Sequence, residues 1–308
     1  MTDDNKDNHN KDNDKYIIYK NDLKYRKFRE LDESKIIFNS SDVKQLYKSD
    51  LDTIDYRLHE CEEEKYITLD LKCINLNEFP NLSHKIKNNL QFLFLGDNNL
   101  REFPNLSEFN SLEMLEINHN KIKNINHIPH SLFELCCREN LIDEFVLSEK
   151  HKLERLDIRH NHLHNIILSQ NIKILDIGFN NLSISIGNMY NLEKLLCSHN
   201  QIKEIYNCPK LSYLDCKSNP INSIKDCQNI EHIVCSNTLL NSLPYSPNIQ
   251  TIECFHTNIN ELPYCKKLYE LLCDNGQINK ISSKYKIKSA EVYKDKIMHI
   301  IFDIENTT

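Results

Sequence analysis

Hydrophobic residues recur along this chain in a unit of about twenty residues, with apolar side chains at positions 1, 4, 6 and 11 and usually Asn at position 9. The clearest copy reads Leu90-x-x-Leu93-x-Leu95-x-x-Asn98-x-Leu100, and the next reads Leu112-x-x-Leu115-x-Ile117-x-x-Asn120-x-Ile122. Further copies start at Leu132, Leu153, Ile172, Leu192, Leu211, Ile230, Ile249 and Leu268, with weaker ones at Tyr66 and Ile287. That makes twelve copies, spaced 24 residues apart at first and 19 at the end.

Positions 4 and 6 point to one side of a short strand and positions 3, 5 and 7 to the other, because side chains alternate along a strand. Stacked units then make a parallel sheet, and a later apolar residue such as Phe79, Phe103, Ile125, Phe145, Ile166 or Ile205 closes the core behind it. Asn at position 9 (Asn98, Asn120, Asn140, Asn161, Asn180, Asn200, Asn219) is placed to bond backbone groups where the strand turns. This series lapses at Ile74, Thr238, Thr257, Gly276 and Asp295, where less regular turns are expected. A 19-residue unit leaves no room for a long return helix, so the convex side should be extended or a 3-10 turn, along a shallow arc.

The Leu-x-x-Leu-x-Leu-x-x-Asn-x-Leu unit resembles the leucine-rich repeat family, over three quarters of the chain. The short unit is similar to those of bacterial effectors and of giant DNA virus proteins. The resemblance implies an α/β-type repeat solenoid dominated by β: a horseshoe with a parallel concave sheet, acting as a non-enzymatic scaffold that binds a protein on that face.

The flanks differ from the repeats. Residues 1–15 hold five Asp, four Asn and three Lys, a composition that predicts a disordered tail. Residues 16–65 are expected to form an α/β N-terminal cap, with short strands at Tyr16–Tyr19 and Ile36–Phe38 and a helix from Ser41 through Leu58. Residues 66–304 form the predicted solenoid, its last copy at Ile287 a degenerate repeat, and 305–308 a tail.

Composition narrows the function. The net charge of −7 argues against nucleic-acid or anionic-membrane partners. Only four Gly are present, never two close together, so no phosphate-cradling loop can be written. The start of the sequence lacks a signal-peptide core and apolar runs stay short, which predicts a cytoplasmic chain. Cys137, Cys197, Cys216, Cys235, Cys254 and Cys273 share inward position 6, and Cys208, Cys227 and Cys265 share position 17; both series read as reduced core filling. His119, His160, His199 and His256 share position 8 but lie too far apart to hold one metal ion. Acidic residues at position 5 (Asp70, Glu116, Asp157, Asp176, Asp215, Glu253, Glu291) read as a surface row, partly matched by Arg138, Arg159 and Lys217 at position 7. No catalytic motif, cofactor site or metal site is predicted.

Hydrophobic residues on the outward positions are the informative feature. Phe92, Phe94 and Met114 fall together beside Gly96, and Phe179, Leu196, Tyr213, Val234, Phe255, Leu272 and Tyr293 follow among charges. Such residues mark binding surfaces. Phe92, Phe94, Met114, Arg138, Arg159, Tyr213 and Phe255 are therefore the candidate partner-binding residues of an expected monomer. An alternative is an adaptor whose N-terminal region recruits a ubiquitin ligase or phosphatase.

Overall fold

A computed structural model describes residues 50–63, 67–262, 264–281, 285–293 and 297–303. Positions 3 to 5 of eleven successive units, from Thr68–Asp70 to Glu270–Asp274, form strands of one parallel sheet. Their register is the register of the repeat: Leu93 lies opposite Leu115, Leu115 opposite Leu135, and so on to Ile252 opposite Leu271. A slip by one residue would turn every position-4 leucine toward solvent, so burial of one face fixes the pairing. Positions 1, 4 and 6 are almost all fully buried, and Phe145 and Ile205 close the core with Phe79, Phe103, Ile125 and Ile166 packed against it.

The Asn series holds the units together. Asn120 accepts from Leu100 N–H at 2.9 Å, while its amide donates to the carbonyls of Leu95, Ile117 and Asn118. Each Asn thus satisfies groups of its own unit and of the one before. Where the series lapses, Thr238 and Thr257 donate to Cys235 and Cys254 carbonyls, and Gln277 restores the cross-unit bonds by donating to Cys254 and Ile259 carbonyls.

The convex side is more ordered than the spacing predicts. Short parallel strands pair there, Glu144–Val146 with Asn165–Ile167 and Ile186–Gly187 with Glu204–Tyr206 and Ser223–Lys225. Successive units that differ by no more than two residues in length bring corresponding backbone segments into register, so two or three residues suffice to pair. The longest unit instead holds a helix, His84–Asn89, capped by Ser83.

Both ends of the sheet are covered. At the first strand the helix Asp50–Glu63, which confirms the C-terminal part of the helix expected after Ser41, sends Arg57 to the Asp70 carbonyl at 2.8 Å. The strands expected at 16–19 and 36–38, and the tail 1–15, lie outside the described residues. At the other end the expected twelfth parallel copy is replaced by an antiparallel hairpin. Ile297–Phe302 pairs antiparallel with Glu270–Asp274, and Ile287–Tyr293 lies outermost. Ile300, opposite Leu271, takes the buried place that the template gives to the smaller Ala290, which is exposed. Glu291 and Tyr293 consequently lie in the hairpin, outside the parallel rows.

Candidate functional site

The open face of the parallel sheet carries positions 3, 5 and 7, flanked by position 2 before each strand and position 8 after it. Position 8 is left-handed in ten successive units, from Cys73 to His256, with φ between 51° and 59°. Asn, Asp and His tolerate that conformation better than most residues, which accounts for the recurring histidines. They therefore serve the turn, and among the described residues no group of three or more His, Cys, Asp or Glu is placed to hold a metal ion.

Of the sequence-derived residues, Phe92 and Phe94 lie half-buried on one strand, with the Lys72 ammonium 5.1 Å from the Phe94 ring centroid. Met114 stands between Phe92 and Glu134 in register but is only 5% exposed, so it contributes little contact area. Arg138 donates its backbone N–H to Asn118, while its buried Nε has no hydrogen-bond partner among the described residues. Arg159 bridges Asp176 at 3.0 Å and Asp157 at 3.3 Å. Tyr213 has the Lys194 ammonium 5.0 Å from its ring and the His232 ring on its other flank, and burial pushes its phenol above the usual range. Phe255 is half-buried and donates its N–H to Ser236. Eight strand spacings, about 38 Å, separate Phe92 from Phe255, so the seven residues make several neighbourhoods along one face.

The middle of the face holds features that composition alone does not reveal. Rings of His160, Phe179 and His199, from three successive units, stack with centroids 4.3 and 4.2 Å apart. The available signal was an aromatic residue at position 8 between two copies with His there. Beside the stack, burial raises Asp157 to about 6, with the neighbouring Asp176 adding to the rise and Arg159 and Arg138 opposing it. Burial also raises Asp176 and Asp215.

Charge is unevenly placed. Over the eleven units, positions 2, 3, 5, 7 and 8 carry fifteen acidic and seven basic side chains. Five of the basic ones are already ion-paired on the face: Lys72, Arg155, Arg159, Lys173 and Lys217.

On the inner side, burial pushes the thiols of Cys137, Cys197, Cys216 and Cys235 well above the ordinary range. They remain neutral and unreactive at physiological pH, which fits core filling.

Comparison with known proteins agrees with this architecture. The family model described as Leucine Rich repeats (2 copies) matches residues 190–227. No curated protein sequence matches the chain. Among solved structures it is similar to YopM from Yersinia pestis, described as a leucine-rich effector protein, at 21% identity and a TM-score of 0.63, over 72% of this chain and 64% of that one. YopM from Yersinia enterocolitica WA-314 aligns at 22% identity and 0.52, over 76% and 62%. The chain thus spans less than two thirds of either YopM chain. A domain of InlJ from Listeria monocytogenes, described as including a cysteine ladder, aligns at 19% identity and 0.54, over 71% of this chain and 56% of that one. At these identities the likeness is one of fold. With its repeat unit, sheet register and Asn series on the same pattern, the chain is a leucine-rich repeat protein.

Proposed function

We propose that the chain is a cytoplasmic, monomeric, non-enzymatic scaffold whose concave sheet binds a protein partner. Leucine-rich repeat proteins are generally protein-interaction scaffolds, and no described helix is long and apolar enough to cross a membrane. One observation carries the reading: the sheet offers a preformed face on which half-exposed Phe92 and Phe94 stand among charged groups. Preformed faces with aromatic anchors bind proteins at low ordering cost. Arg138, Arg159, Tyr213 and Phe255 extend the surface along the arc, and Met114 supports the Phe92 side. The net charge of −7 disfavours nucleic acid.

The test compares the intact chain with Phe92→Asp/Phe94→Asp, both melting at a similar temperature, in pull-downs from cytosol read by mass spectrometry. The expected result is selective loss of a partner from the double variant. Retention of every partner would contradict the proposed face.

A further inference from the structure

We infer that the concave sheet takes a protein segment bearing lysine and arginine, with Phe179 as its apolar anchor and the acidic side chains in excess on this face as its ionic complement. This rests on the concave face being the binding surface and names the chemistry of its partner.

Phe179 is the first observation. A bulky side chain at φ 54° is held in a conformation that disfavours it, yet Phe179 is 43% exposed and fills no core site. Its faces are occupied by His160 and His199, so its edge is what it offers to a partner. The left-handed backbone belongs to the repeat turn, so what sets Phe179 apart is a large exposed ring where both neighbouring units carry His.

Gly178 is the second. It occupies position 7, the row that carries Arg138 and Arg159 in the two preceding units. A Cβ there would stand 3.4 Å from Asp176 Oδ1 and 3.3 Å from Ser198 Oγ. A side chain would crowd both atoms, and Gly178 N–H donates to Asp176 Oδ1 at 3.1 Å, so the run of basic side chains in this row stops beside Phe179.

The third observation is the excess of acidic over basic side chains across this face, fifteen against seven, in a chain that totals 45 against 38. The face therefore carries the whole of the protein's net charge. Complementary charge speeds encounter and selects partners, and a guanidinium or ammonium group with apolar neighbours matches both the acidic face and the ring.

The test titrates the full chain into a fluorescein-labelled nonapeptide, Gly-Arg-Lys-Phe-Arg-Lys-Tyr-Arg-Gly, read by anisotropy. A second peptide has Glu at every basic position. The expected result is saturable binding of the basic peptide only, weakening as salt rises. Phe179→Asn should weaken binding at least tenfold without lowering the melting temperature, because Asn is at ease in the left-handed region. Phe179→Gly provides the same comparison should the Asn variant fail to fold. The convex variant Glu144→Gln/Glu204→Gln should bind as the parent does. Absence of saturable binding, or equal binding by parent and Phe179 variants, would overturn the inference. Partner loss in the Phe92/Phe94 variant is read independently, so either claim can fail while the other stands.

Discussion

Asn180→Ala is expected to destabilise the chain by roughly 3–5 kcal/mol, since it leaves several buried backbone groups without a partner at about 1–3 kcal/mol each. The Asn180 side chain accepts from Leu163 N–H at 3.0 Å and donates to the carbonyls of Ile158, Ile177 and Gly178. Alanine cannot replace any of these bonds, and the site is buried among packed units that exclude water. The neighbouring Asn181 is exposed, and Asn181→Ala should stay within about 0.5 kcal/mol. Urea unfolding followed by circular dichroism gives the difference, and amide exchange at Leu163 locates it. Equal stabilities for the two variants would mean that the Asn series does not tie the units together.

Asp157→Asn should do the opposite at neutral pH. The native carboxyl titrates at about 6, above the ordinary value near 3.9, so the folded protein binds more protons than the unfolded chain between those limits. Stability associated with Asp157 is therefore complete below about pH 4 and is lost as pH rises through 6. A shift of two units corresponds to about 3 kcal/mol, and a side chain 23% exposed, with Arg159 still pairing Asp176, reduces this to about 1–2 kcal/mol. The variant should melt above the parent at pH 7.5, with the gap closing near pH 4. A variant less stable than the parent at pH 7.5 would show that the Arg159 pairing outweighs burial.

The phase of the repeat was legible because burial demands apolar side chains at fixed places in every unit. Leu93, Leu115 and Leu135 pair in the register that the template requires. The C-terminal hairpin was not legible in the same way. Ile287, Ala290 and Val292 fit the template, but Ile300 and Phe302 offer larger apolar side chains a few residues later, and their burial wins. Convex strands such as Glu144–Val146 are too short to leave an alternating pattern, and they form where units of similar length align them. Within the site, Phe92 and Phe94 could be placed on the open face from alternation alone. The cover over Met114 could not, because it depends on side chains from neighbouring units. The same holds for the His160–Phe179–His199 stack, whose rings are about twenty residues apart in sequence.

The exposed apolar pair Val146 and Ile167 on the convex side shows why exposure by itself does not identify the binding face. These two stand on a sheet of two short strands, whereas the concave side offers eleven strands in continuous register. A partner segment laid across the concave strands can meet side chains from many units at the strand spacing of about 4.8 Å.

Photo-crosslinking in cytosol compares the two faces directly. A photoreactive phenylalanine analogue placed singly at Phe94, Arg155 and Tyr213 samples the concave sheet; at Glu144 and Glu204 it samples the convex side. The account predicts the same crosslinked protein from the concave positions and none from the convex ones. Crosslinks to one protein confined to the convex positions would contradict it.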